Sequence, residues 1–244
     1  MGQVLMTRAT VILATVTLGL VACGGGSSVA PAPTPSSALS GTAADCFNPQ
    51  LFAAGTTYQI DYELFGNILG TTTDRITVQA ASAGSQDVLV TTQHQDNFST
   101  PVPSANSRVV QRRALQSTEG LVIVTNEDFT TYASGLVAHV AYQPPLRDPR
   151  FGLLSAGDSF LLVRNIVAPQ PSSFSSTVTY LGQETVTVPA GTYTACKFEE
   201  SQQGSGVRWT WVLKGKGIVA KIQDMPSGAS EQLMATSRLN GEPI

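Results

Sequence analysis

Apolar and polar residues alternate along most of the chain beyond residue 56. The segment 58–64 shows the pattern clearly, because Tyr, Ile, Tyr and Leu take every second position between Gln, Asp and Glu. A period of two is typical of a β-strand with one buried and one solvated face. The same pattern predicts further strands in segments 76–80, 87–95, 108–116, 121–129 and 161–167.

Turn residues such as Gly66-Asn67 and Gly84-Ser85 separate the first of these strands, and no amphipathic segment of useful length lies between them. Strands at this spacing predict an all-β fold, an antiparallel meander that curls into a barrel or half-barrel. Two proline-containing stretches, 142–149 and 168–173, interrupt the alternation. Since proline cannot donate to a central ladder, we predict crossing loops there, either rimming an opening or simply solvated.

The start of the chain carries a different signal. An uncharged, largely apolar run, 9–20, follows Arg8 and leads into Val21-Ala22-Cys23. A helix of this length spans roughly 18 Å, short of the ~30 Å hydrocarbon core, which disfavours an uncleaved membrane helix. A plain secretory signal peptide is the other alternative. The arrangement Leu20-Val21-Ala22-Cys23 resembles the lipobox of bacterial lipoproteins.

That resemblance implies cleavage before Cys23 and attachment of acyl chains such as palmitate to this residue. The residue directly after the cysteine is Gly24, and a glycine at this position resembles lipoproteins that are sorted to the outer membrane and face the periplasm. Two or three acyl chains give lasting attachment, since each buried methylene contributes about 0.8 kcal/mol. The implied organisation is a signal peptide at 1–22, the lipidated cysteine with a flexible Gly/Ser/Pro/Ala tether at 23–45, and a single β domain at 46–244.

Two cysteines, Cys46 and Cys196, belong to the predicted β domain. In an oxidising periplasm an even pair of cysteines favours a disulfide. Such a bond would tie the first folded residues to a strand late in the chain. Two separate buried thiols are the alternative.

Charge and motifs narrow the function further. The chain has 14 basic and 17 acidic residues, a net charge of −3 and no basic cluster larger than Arg112-Arg113, which argues against a nucleic acid partner. Without a catalytic motif or cofactor fingerprint we predict no enzyme and no cofactor, with a hydrolase as a remote alternative. His94 and His139 lack the spacing of metal ligands, so we predict that they are ordinary strand histidines. The alternative is that they bind a metal together with Asp96 or Asp128.

One region of the domain, residues 178–223, carries a family resemblance. Val188-Pro189-Ala190-Gly191-Thr192-Tyr193 and the glycine-containing segment 211–221 are similar to two successive hairpins of poorly characterised bacterial envelope β-proteins. The resemblance implies an architecture and no chemistry. The Val-Pro-Ala-Gly run also has the residues of a tight β-turn.

Aromatic residues supply the candidate binding surface. Tyr58, Tyr62, Trp209 and Trp211, with Phe160, are predicted to line one face of the curved sheet, although a tryptophan pair capping the core is an alternative. The leading prediction is a lipid-anchored, non-catalytic binding protein for a hydrophobic small molecule or a lipid. The alternative is an envelope adaptor or structural lipoprotein that acts through protein–protein contact.

Overall fold

The computed structural model describes residues 41–83, 87–100, 104–116, 122–168, 170–202, 204, 206–225 and 227–244. The predicted signal peptide, the lipidation of Cys23 and most of the predicted tether lie outside the described residues. Among the described residues no helix is long and apolar enough to cross a membrane.

Antiparallel β-strands make up most of the described chain. The strands are β1 Thr57–Phe65, β2 Leu69–Ala80, β3 Val88–Thr100, β4 Ser104–Gln116, β5 Ile123–Tyr132, β6 Val137–Asp148, β7 Ser159–Ala168, β8 Ser172–Val188, β9 Gly191–Gln202, β10 Gly206–Leu213, β11 Val219–Asp224, β12 Ser230–Leu233, β13 Arg238–Leu239 and β14 Glu242–Pro243. Two 3-10 helices, Ala43–Cys46 and Pro49–Phe52, precede them.

The sheet closes on itself. From β1 to β12 every strand pairs with the next, and β12 returns to β1 through a register that runs from Tyr62↔Leu233 to Phe65↔Ser230. The all-β antiparallel prediction is therefore confirmed, with a closed barrel of twelve strands as the form that it takes.

The C-terminal segment completes the closure, because β12 covers only part of β1. Strand β13 continues the pairing at Tyr58↔Leu239. Deeper in the wall, the Asp61 N–H donates to the buried Ser237 hydroxyl at 2.9 Å. At the start of β1, Asn240 N–H donates to the Thr57 carbonyl at 2.8 Å. These contacts satisfy backbone groups of β1 that β12 is too short to reach.

The interpretation of segment 142–149 as a crossing loop was wrong, because most of it belongs to β6. Strand β6 stays paired with β5 as far as Ile123↔Asp148. On its other side it pairs with β7 only at Ala141↔Ala168 and Tyr142↔Ile166. Pro144 and Pro145 have no N–H to donate, so they fit a strand whose second neighbour makes few hydrogen bonds.

One end of the barrel is filled by the segment that precedes β1. Cys46 and Cys196 form a disulfide with their Cα atoms 6.1 Å apart, which confirms the predicted bond. Both pack in a buried cluster whose other members are Ala43, Leu162, Val178, Tyr180, Phe198 and Val212. Because Ala43 is fully buried, the folded part begins a few residues before the expected boundary at Cys46.

We call the segment that fills this end of the barrel the plug, and the loop after β6 packs against it. The Phe151 ring lies 5.6 Å from that of Phe47 and 5.9 Å from that of Phe198 between ring centroids. The Ala43 N–H donates to the Leu154 carbonyl at 3.0 Å. This end of the barrel therefore holds two chain segments, the plug at 43–52 and the loop at 149–154, and the disulfide fixes the plug to β9.

The Val-Pro-Ala-Gly run forms the turn between β8 and β9. Val188 pairs directly with Gly191, which leaves Pro189 and Ala190 as the two turn residues. Gly191 has a φ of +140°, a conformation that a side chain would strain. The Ala190 N–H donates to the Leu233 carbonyl at 2.9 Å, so the hairpin tip is held beside the last residue of β12.

Candidate functional site

The inner face of the barrel carries charges as well as apolar side chains. Register places Asp74 beside Ile60 on one side and beside His94 on the other, and His94 beside Arg108. Directly paired residues point to the same face of a sheet, so these side chains form a row across β1 to β4. Arg108 of β4 lines the same cavity as Arg208 of β10, which lies across the barrel. The row therefore faces the interior.

His94 joins two carboxylates within this row. Its Nδ1 lies 2.5 Å from Asp74 Oδ1, and its Nε2 lies 2.6 Å from Asp96 Oδ1. The hydrogen bond with Asp74 is the main reason that the pKa of His94 lies above its ordinary value, although burial opposes it. Both ring nitrogens can donate only in the protonated imidazole, so the geometry and the raised pKa describe the same imidazolium. Arg108 approaches the second oxygen of Asp96 at 3.4 Å.

Further ion pairs surround this row. Arg112 Nε lies 2.8 Å from Asp128 Oδ1, and the Tyr142 hydroxyl donates to Asp128 at 3.0 Å. Arg164 lies 3.1 Å from Glu200. Burial would raise the pKa of Glu200, but hydrogen bonds from Ser176 and Arg164 outweigh it and hold this pKa below its ordinary value. Most interior charges are thus neutralised in pairs.

A cavity of about 300 Å³ lies at the end of the barrel that holds the β1–β2 and β11–β12 turns. We call it the amphipathic cavity, because one part of its lining is apolar and the other is charged. The apolar part comprises Leu64, Phe65, Ile68, Phe98, Ile222 and Ala229. The polar and charged part comprises Thr72, His94, Asp96, Arg108, Arg208, Asp224, Ser230 and Glu231.

Glu231 differs from the other acids of the amphipathic cavity. Asp96 pairs with His94 and Arg108, and Asp224 lies 2.7 Å from Arg208. Glu231 makes no hydrogen bond or ion pair with any side chain of the described residues, although Arg208 acts on it at longer range. Burial is the main reason that the pKa of Glu231 lies above its ordinary value.

The described residues line other cavities as well. A polar cavity of about 490 Å³ shares Arg208 and Asp224 with the amphipathic cavity and extends to Arg164 and Glu200. A third cavity, of about 370 Å³, lies next to the plug, and Tyr58, Ile60 and Tyr62 form part of its wall. Burial raises the pKa of Tyr58 to about 12, so this phenol stays neutral at physiological pH.

The aromatic residues predicted from sequence do not share one face. Tyr58 and Tyr62 line the interior cavity beside the plug. Trp209 and Trp211 alternate in β10 with Arg208, which lines the amphipathic cavity, so the two indoles point to the opposite face. The prediction of a single aromatic surface was therefore wrong. Phe160 packs, partly buried, against the cluster around the disulfide.

The two tryptophans belong to a packed arrangement of rings and ammonium groups. Their rings meet edge to face at 6.1 Å, and the Lys197 ammonium lies 4.3 Å from the Trp209 ring centroid and 4.9 Å from that of Trp211. The Trp211 indole N–H donates to Glu184 at 2.6 Å. With Trp211 only 5% exposed, the pair caps part of the core, as the alternative interpretation held.

The candidate metal ligands are separated. His94 lies beside Asp96, but His139 lies 3.3 Å from Glu127, and Asp128 binds Arg112 instead. Within the part of the chain that the structure describes, no group of three or more His, Cys, Asp or Glu side chains is arranged to hold a metal ion.

Sequence reasoning missed Asp74, Arg108, Arg208 and Glu231 as site residues. A local signal existed for one contact, because His94 and Asp96 are two residues apart in a strand and must share a face. The other contacts join residues of different strands, and only the register brings those residues together.

No protein-family model matches the chain, and no curated protein sequence matches it. Among solved structures the chain is similar to a β-barrel-like protein of a domain of unknown function, DUF1849, from Brucella abortus. The two share 9% sequence identity with a TM-score of 0.41, and the similarity covers 78% of this chain and 99% of that chain.

Proposed function

We propose that this chain is a lipid-anchored binding protein of the bacterial envelope that holds one small amphipathic molecule in the amphipathic cavity. The observation that carries the proposal is the division of the cavity lining into an apolar and a charged part. The sequence predicted a hydrophobic ligand. We now expect an amphipathic ligand, because the interior is rich in ion pairs.

The apolar part of the lining suits a hydrocarbon group. Phe65 and Ile68 lie at the β1–β2 turn and Phe98 lies near the end of β3, so they border the same end of the barrel. Removing hydrocarbon from water gains roughly 25 cal/mol per Å² of buried apolar surface. The charged part orients a polar group, as a few convergent polar side chains do in small-molecule sites.

The volume and the anchor support the same function. About 300 Å³ is at the lower end of the range of ligand pockets, roughly 300–1,000 Å³, and fits one small molecule rather than a complete phospholipid. The lipobox ending at Cys23 would place the barrel next to a membrane, where amphipathic molecules collect.

Binding of a fluorescent amphiphile tests the proposal. A dansyl-labelled alkyl chain is titrated into the purified protein and into a Phe98→Asp variant, which puts a charge into the apolar part of the cavity. We expect saturable binding with one site, weakened at least about tenfold by Phe98→Asp, since an unpaired charge there must lose its water or exclude the hydrocarbon.

Phe174→Asp is the matched control, because Phe174 is 45% exposed and lies outside the lining of the amphipathic cavity. Native mass spectrometry of protein taken from the envelope should also show a co-purifying small molecule. A bare mass together with no saturable binding of the probe would refute the proposal. The exposed Leu161, Val163 and Val167 of β7 would then favour the adaptor function.

A further inference from the structure

We propose that the ligand of the amphipathic cavity carries a positively charged amine, and that this amine pairs with Glu231. The inference rests on the proposed function and names the chemical class of the polar group. Its basis is the charge that the cavity leaves without a partner.

The charges around the cavity do not cancel. Four carboxylates, those of Asp74, Asp96, Asp224 and Glu231, stand against three cationic groups, those of His94, Arg108 and Arg208. The three cations are already engaged. His94 spans Asp74 and Asp96, Arg108 approaches Asp96, and Arg208 binds Asp224 through two nitrogens at 2.7 and 3.5 Å. One carboxylate is therefore left without a cationic partner among the described residues, and it is that of Glu231.

Glu231 lies where the charged head group of an amphiphile would bind. Register places it between Leu64 of β1 and Ile222 of β11, so apolar side chains flank the carboxylate on both sides. The residue is partly exposed and lines the cavity, which leaves it accessible to a ligand. An amine at this point would pair with the carboxylate while its alkyl chain lies against Leu64, Phe98 and Ile222.

An anionic head group would meet the opposite situation. The charges of Arg108 and Arg208 are already offset by those of Asp96 and Asp224, so these arginines attract an anion only weakly, and Glu231 would repel it. Juxtaposed like charges disfavour a partner, and electrostatic complementarity selects among ligands of similar shape. The cavity should therefore discriminate by head-group charge.

The test uses three probes with one alkyl chain: decylamine, decanol and decanoic acid. Each displaces the dansyl probe from the unaltered protein and from Glu231→Gln. We expect the amine to bind on the order of tenfold more tightly than the alcohol, and the acid to bind worst. Glu231→Gln should remove most of the advantage of the amine and leave the affinity for the alcohol within about twofold.

Glu63→Gln is the matched control, because Glu63 precedes Leu64 in β1 and points to the opposite face of the sheet. It should leave all three affinities unchanged. Equal affinities for amine and alcohol in the unaltered protein, or the tightest binding for the acid, would overturn the inference and leave the proposed function standing. Failure of all three probes to bind would instead overturn the proposed function.

Circular dichroism would show whether Glu231→Gln folds. If it does not, the ratio of amine to alcohol affinity in the unaltered protein still decides whether the cavity prefers a positively charged amine. The pH dependence of that ratio gives a second reading, because protonation of Glu231 at low pH should abolish the preference while the alcohol continues to bind.

Discussion

His94 is held between Asp74 and Asp96 inside the barrel, with its side chain 14% exposed. Two hydrogen bonds to carboxylates stabilise the protonated ring, and the pKa is raised accordingly. A residue of this kind couples the stability of the folded chain to pH. Since the folded-state pKa exceeds the unfolded value, the stabilisation is complete below about pH 6.5 and is lost as the pH rises through the folded-state pKa.

His94→Gln should therefore destabilise the protein mainly at low pH. We expect a loss of about 2 kcal/mol in the free energy of unfolding at about pH 5.5, because hydrogen bonds to charged groups are removed and two carboxylates are left adjacent. The loss should shrink once the pH has risen through the folded-state pKa, because the unaltered histidine is then neutral too. Urea unfolding of both proteins at about pH 5.5 and at a pH above that folded-state pKa measures the difference.

His139→Gln is the control, since the side chain of His139 is 41% exposed and contacts a single carboxylate, that of Glu127, at 3.3 Å. We expect a change below about 1 kcal/mol at either pH, as for other exposed ion pairs. A loss for His94→Gln that is constant with pH would contradict the role given to the imidazolium.

At the scale of elements, hydropathy located β1 to β5 and β7 but not the ends of these strands, and it did not locate β6. The prediction of 58–64 falls within β1, whereas 87–95 stops short of the end of β3 at Thr100. Where the prediction stops, Asp96 faces the interior and Asn97 faces outward, so both faces of β3 are polar there. A strand that is polar on both faces has no alternation to detect.

The same property hid the site. Asp74 and His94 are 20 residues apart, and they meet because β2 and β3 pair in one register and not in the neighbouring one. A slip of one residue would exchange the inner and outer faces, and a hydropathy pattern fixes the register only when the two faces differ. The Cys46–Cys196 bond was predictable because it required counting cysteines and no register.

The disulfide joins the plug segment to β9 over a sequence separation of 150 residues. Replacing both Cys46 and Cys196 by alanine should lower the free energy of unfolding by up to about 5 kcal/mol, the loop-closure value for so long a loop. Guanidinium unfolding in the Cys23→Ser background measures this loss without a third thiol.

Reductant provides the control for this prediction. It should lower the unfolding midpoint of the protein that retains Cys46 and Cys196 toward that of the double variant, and it should leave the double variant unchanged. Equal midpoints of the two proteins under oxidising conditions would contradict a stabilising role of the bond.

At the scale of the whole molecule, the barrel has one end filled by the plug and a cavity toward the other. The segment 24–40, between the predicted anchor and the first described residue, spans at most roughly 60 Å when extended. That reach exceeds the length of the barrel strands, of which β3 with 13 residues extends over roughly 43 Å. An anchored barrel could therefore present either end to the bilayer.

Membrane attachment should depend on one atom, the sulfur of Cys23. We expect a Cys23→Ser variant to move from the membrane pellet to the soluble fraction when cells are fractionated, because the two or three acyl chains predicted at Cys23 would supply the attachment and the variant would carry none. Quantitative immunoblotting of both fractions measures the shift. Sedimentation of the variant with membranes as complete as that of the unaltered protein would contradict attachment through acyl chains at Cys23.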